Sequence, residues 1–142
     1  MIMGKNKIIF LLCPVLLALI IFSCTKEEEK SERFKILTGQ VWTSDSLLVN
    51  GEDASGPGEF LEKMAGDAEF RPDGTGDFGQ YTGSWYFMEN ETKITISSPS
   101  LGTPLELNII ELTQQSFKIS TEWLIDPVQQ TYFTIRITFK PK

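Results

Sequence analysis

Near the C terminus seven consecutive residues, Phe133-Thr134-Ile135-Arg136-Ile137-Thr138-Phe139, alternate apolar and polar without a break. Successive side chains of a β-strand point to opposite faces, so this period of two builds one greasy face and one wet face. Ile94-Thr95-Ile96 and Leu105-Glu106-Leu107-Asn108-Ile109 repeat the pattern. So does Phe117-Lys118-Ile119-Ser120-Thr121-Glu122-Trp123, with Thr121 as a polar exception on the inner face. Such runs suit an antiparallel sheet with one face on a core and one in water. Further strand candidates are Val41 to Val49, Ala68 to Arg71, Gly76 to Tyr81 and Gly83 to Phe87. Turn signals separate the runs at Arg71-Pro72-Asp73-Gly74, Glu89-Asn90-Glu91, Ser98-Pro99-Ser100, Thr113-Gln114-Gln115 and Asp126-Pro127. About eight short strands at such spacing predict an all-β barrel or sandwich. Asp73-Gly74 supplies the positive φ of a tight hairpin, and Gly83 offers a place for a bend or bulge. Only Gly58 to Met64, carrying Phe60, Leu61 and Met64, reads as weakly helical, with a length that suits a cap across a barrel mouth.

The N terminus follows different rules. Lys5 and Lys7 precede an apolar run from Ile8 to Phe22, interrupted only by Pro14. That is the plan of a secretory signal. A membrane-spanning helix needs about 20 apolar residues, whereas this run as a helix would cover about 22 Å at about 1.5 Å per residue. Pro14 also removes helical hydrogen bonding. The sequence has two cysteines, Cys13 and Cys24. Cys13 leaves with the signal, so Cys24 is left without a disulfide partner.

Ile21-Phe22-Ser23-Cys24 resembles a bacterial lipobox, with a branched aliphatic residue three before the cysteine and a small residue just before it. The resemblance implies cleavage between Ser23 and Cys24 and acylation of Cys24, which then anchors the chain to a membrane. Two or more acyl chains hold a protein stably where one does not. Lys26-Glu27-Glu28-Glu29, directly after that cysteine, resembles the export signal of Bacteroidota surface lipoproteins. It implies an outer-membrane protein displayed at the surface in preference to one facing the periplasm. Residues 25–33 hold no apolar side chain, so a solvated tether is expected there. The division that follows is 1–23 signal peptide, 24–35 lipidated cysteine and charged tether, and 36–142 folded domain.

The order of motifs in residues 36–142 resembles the lipocalin-like lipoproteins of Bacteroidota. The carriers are Leu37-Thr38-Gly39-Gln40-Val41-Trp42 (one residue longer than the usual Leu-x-Gly-x-Trp), Phe70-Arg71-Pro72-Asp73-Gly74-Thr75, Gly83-Ser84-Trp85, and the closing strand Tyr132 to Phe139. The resemblance implies a small up-and-down antiparallel barrel of about eight strands, in a group largely without assigned function. Such a barrel is just wide enough for side chains, or for one small ligand. Trp42, Phe70, Trp85, Phe87, Trp123 and Phe133 are the candidates to line it. They define either a calyx for a small apolar ligand or a filled core, whose barrel would then serve as a scaffold for binding protein or glycan through its loops. Tyr81, Tyr86 and Tyr132 are candidates for an outward contact patch.

Composition narrows the chemistry. There is no histidine, and the one retained cysteine is read as acylated, so the commonest bases, thiol nucleophiles and zinc ligands are missing. Asp73 and Asp77 are a carboxylate pair by proximity only. Asp73-Gly74-Thr75-Gly76-Asp77 begins like a calcium loop but lacks the glycine at loop position six and the glutamate at twelve. No catalytic residue, metal site or cofactor is expected. The chain holds 13 Lys+Arg and 19 Asp+Glu, and loss of residues 1–23 removes two lysines, giving 11 − 19 = −8. Such an acidic domain repels phosphate backbones, so nucleic acid is not an expected partner. The expected partners are the membrane, through acyl chains on Cys24, and a small hydrophobic ligand; the chain is expected to be a monomer.

Overall fold

The computed structural model describes residues 28–142. A helix, α1 (Glu32–Thr38), leads into β1 (Val41–Val49) and a two-residue β2 (Glu52–Asp53). After a 3-10 turn at Glu62–Met64 come β3 (Asp67–Phe70), β4 (Thr75–Phe78), β5 (Tyr81–Met88) and β6 (Lys93–Ser97). β7 (Leu105–Leu112), β8 (Phe117–Asp126) and β9 (Thr131–Pro141) complete the chain. The wall runs β1-β3-β4-β5-β6-β7-β8-β9 and closes by pairing β9 back onto β1, with β2 added outside it. All pairings are antiparallel. The protein is therefore a small all-β, up-and-down barrel of eight wall strands; the alternation predicts a barrel or a sandwich, and the family resemblance implies the up-and-down barrel.

Closure makes β1 serve two neighbours. Val41–Thr43 pair with β3, while Trp42–Val49 pair with β9 across a register shift between Ser44 and Ser46. Two more shifts, at Ile110 and Ile125, bend β7 and β8. The inner face carries the predicted alternation: Ile135, Ile137 and Phe139 on β9 and Phe117 and Ile119 on β8 are all buried. The β3–β4 hairpin turns where Asp73-Gly74 was read. Gly74 has φ +86°, and Asp73 Oδ1 accepts from the Thr75 amide at 2.9 Å and its hydroxyl at 2.7 Å. Gly83 is no bulge, because β5 keeps register through it. A Cβ there would collide with the backbone of Ser97 and Ser98.

The folded unit begins earlier than the sequence reading places it. Residues 32–35, assigned to the tether, are the first turn of α1. Ser31 caps the helix, its Oγ accepting from the Phe34 amide at 3.0 Å. The charges face water while Leu37 is fully buried and Phe34 packs against the core. Seven residues are too short for a period of 3.6 to stand out from a charged neighbourhood. Gly58 to Met64 forms turns and one 3-10 stretch in place of two helical turns.

Candidate functional site

The interior divides into two halves along the barrel axis. At the end where the β3–β4, β5–β6 and β7–β8 turns lie, α1 closes the bore. Ser31 Oγ donates to Glu91 Oε1 at 2.6 Å and Arg33 Nε to the Glu91 carbonyl at 3.1 Å, tying the helix to the β5–β6 turn. Behind it the rings interlock. Phe70 lies 5.6 Å from Trp85 and 5.7 Å from Phe117, and Phe117 lies 5.6 Å from Trp42 and 5.4 Å from Phe139, centroid to centroid. Trp85 in turn sits 5.4 Å from Phe87 and 5.7 Å from Phe34. These spacings are those of favourable edge-to-face and offset pairs. The indole groups are satisfied too: Trp42 Nε1 donates to the Leu37 carbonyl and Trp85 Nε1 to that of Arg71, each at 3.1 Å. Trp42, Phe70, Trp85 and Phe87, four of the six candidate lining residues, thus stand in the closed half against one another.

The other two stand at the open end. There a pocket of about 210 Å³ penetrates between the strands. Its floor is Leu105, Leu107, Ile135 and Ile137; its side walls include Met64, Leu101 and Trp123. Phe60 forms the lip, packing edge-on to Trp123 at 6.3 Å and to Phe133 at 6.0 Å, while remaining 51% exposed. Leu61, fully buried beneath it, pins this lip to the core. Three polar side chains, Tyr81, Ser100 and Thr121, reach the same space. Within Gly58 to Met64, whose length suits a cap across the mouth, Phe60, Leu61 and Met64 do line the pocket there. Tyr81 points into the mouth, not outward. Tyr86 and Tyr132 are exposed but sit on β5 and β9, with three wall strands between them.

A second, polar groove of about 700 Å³ lies on the outer surface, lined by Glu106 and Asn108 of β7, Ser120 and Glu122 of β8, Lys93 of β6 and Arg136 of β9. It shares Leu105, Thr121 and Trp123 with the mouth pocket, so outside and inside meet between β7 and β8. Past this point the β8–β9 ribbon carries Leu124, Ile125, Val128 and Tyr132 exposed, Val128 to 90%.

The carboxylates read as possible catalytic or calcium groups have structural work. Asp77 accepts from the Thr82 hydroxyl at 2.8 Å and pairs with Arg71, which hold its carboxyl below the usual range. Asp73 is lowered by the Thr75 hydroxyl and amide within its own turn. Among the described residues no cluster of three or more metal-ligating side chains is present. Ser23, Cys24, Lys26 and Glu27 lie outside the described residues; Glu28 and Glu29 are exposed, and Glu29 lies 3.8 Å from the Lys35 ammonium. No helix among the described residues is long and apolar enough to cross a membrane.

The chain matches no protein-family model, and no curated protein is similar to it in sequence. What defines it is the fold and its open end: a closed antiparallel barrel, filled at one end and hollow at the other.

Proposed function

We propose that this chain is a lipid-anchored, non-catalytic cell-envelope protein, held in the outer membrane through Cys24 and displayed at the surface, whose barrel mouth seats a small apolar group. The observation that carries the reading is the mouth pocket, apolar on floor and walls with three polar side chains at hand to orient a ligand. Its 210 Å³ is below the roughly 300–1,000 Å³ of drug-sized sites, so the guest is a short chain or single ring and not a large lipid. A second reading, an interaction module on a scaffold barrel, draws support from the filled closed half and the exposed apolar ribbon at residues 124–132.

Native mass spectrometry of the full chain isolated from its own host tests the first reading. The expected spectrum shows a small adduct, neither lipid nor detergent by mass, that is lost on denaturation. Leu107→Trp, which fills the pocket, abolishes it while the variant still unfolds cooperatively. A bare mass, or an adduct indifferent to Leu107→Trp, removes the carrier reading. For the anchor, Cys24→Ala sends the protein to the soluble fraction; a variant that stays in the membrane overturns lipidation at that site.

A further inference from the structure

Between β7 and β8 the wall of this barrel is paired over only part of the strands' length. Their ladder runs only from Asn108↔Ser120 to Leu112↔Phe117. Beyond Asn108, β7 continues to Leu105 paired solely with β6, and beyond Ser120, β8 continues to Asp126 paired solely with β9. Extending the register would place Leu107 opposite Thr121, Glu106 opposite Glu122 and Leu105 opposite Trp123. The middle pair explains why the ladder stops: like charges directly opposite across a ladder are destabilising. What remains is two strand edges unpaired with each other, with the polar groove outside and the mouth pocket inside.

The geometry points to this cleft as an acceptor for an extended polypeptide strand with alternating basic and apolar residues. A strand entering here meets backbone donors and acceptors on both lips, the mode by which exposed sheet edges capture peptides. Because β7 and β8 are antiparallel, it lies antiparallel to one lip and parallel to the other. The longer lip is β8, regular from Thr121 to Leu124 before the bulge at Ile125, so the antiparallel ladder forms there. Side chains of the guest alternate between the two cavities. Those turned inward enter among Leu105, Leu107 and Trp123, and must be apolar. Those turned outward stand between Glu106 and Glu122. Neighbouring strands hold same-face side chains about 5 Å apart, so a guest Lys or Arg reaches both carboxylates. Lys93 and Arg136 also line the groove, each on the strand next to one lip and a diagonal neighbour of Glu106 or Glu122, and Lys93 feels the Glu106 charge. Lys93 is also already held by Glu89 at 2.9 Å. The inward half of the proposal rests on the mouth-pocket reading; the backbone pairing does not.

The full chain in phosphatidylcholine nanodiscs is titrated with the acetylated, amidated peptide Lys-Val-Lys-Val-Lys-Val, followed by tryptophan fluorescence and backbone hydrogen exchange. The expected result is saturable binding with new amide protection at residues 121–124 and 105–107. Methylating alternate peptide nitrogens, or replacing each Lys by Glu, weakens binding roughly tenfold or more, about 1.4 kcal/mol per tenfold. Glu122→Lys gives Glu106 an opposite charge and zips the gap, so those amides become protected without peptide and affinity falls; Glu106→Lys does the same from the other lip. Binding without protection of these amides, or binding indifferent to nitrogen methylation, overturns the strand. No peptide binding also overturns it; if the small adduct persists in native spectra, the mouth-pocket reading still stands, and if the adduct is absent too, both fall.

Discussion

At Gly83 the barrel wall has no room for a methyl group. An added Cβ would overlap the backbone of Ser97 and Ser98 on the neighbouring strand, and backbone cannot swing aside as a side chain can. Gly83→Ala is therefore expected to cost about 1–3 kcal/mol, the range of core overpacking, read as a lowered denaturant midpoint at unchanged slope. The surface carboxylates set a different dependence. Asp67 is lowered by Lys142 and Thr43, Asp77 by Thr82 and Arg71, and Glu111 by Ser116 and Lys118. A carboxyl depressed in the fold binds protons more readily when unfolded, so stability rises with pH through that window. The contribution is present above the ordinary carboxylate range and lost as pH falls through and below about 4. With no histidine in the chain, the melting temperature is expected to stay nearly flat from pH 8 to about 5 and to fall below about 4. A step near pH 6 in calorimetry would contradict this.

At the scale of elements, α1 is the part that sequence reading places wrongly and the structure makes necessary. It covers the ringed half of the core with Phe34 and Leu37 and braces a β5–β6 turn in which Glu89, Asn90 and Glu91 all adopt left-handed φ, at 49°, 54° and 64°. Non-glycine residues persist there only where surroundings hold them. Leu37→Ala is expected to cost about 2–5 kcal/mol as a buried truncation, and Ser31→Ala about 1 kcal/mol through its cap, both measured by chemical denaturation. A neutral Leu37→Ala would show that the helix is only laid on the barrel. The strands were legible because alternation is local: the inward residues of β8 and β9 are named by position alone. The helix was not, since Glu32, Arg33 and Lys35 hide its three apolar anchors, Phe34, Ile36 and Leu37. Gly58 to Met64 was legible as a segment across the mouth, and Trp42, Phe70, Trp85, Phe87, Trp123 and Phe133 as inner-face residues, but not which of these six stand at the mouth and which fill the far half. Which layer of a barrel is packed and which hollow depends on the register of strands distant in sequence. The cleft between β7 and β8 is likewise non-local, arising from Glu106 meeting Glu122 across sixteen residues of chain.

For the whole molecule, the two ends of the barrel face different surroundings if Cys24 is the anchor. The chain enters through Ser31 at the closed end, and six residues lie between it and Cys24, at most about 25 Å of extended chain. The mouth and the cleft lie at the opposite end. β8 joins the two ends directly, from the β7–β8 turn to the tip of the β8–β9 ribbon, and its ten residues span roughly 33 Å, or about 25 Å along the axis at a strand tilt near 40°. The anchoring bilayer is then next to α1, while guest binding occurs where the medium has access. If, as proposed, acylation occupies Cys24 and Cys13 leaves with the signal, single-cysteine labels test this cleanly. A fluorophore at Gln115→Cys, in the β7–β8 turn, is expected to be quenched by headgroup spin-labelled lipid, whereas one at Val128→Cys, on the ribbon tip, is not; both positions are exposed. Equal quenching would mean that the barrel lies along the membrane, and stronger quenching at residue 128 would mean that the apolar ribbon itself docks on lipid. Either result would take the mouth away from the medium and with it the access that a soluble guest requires.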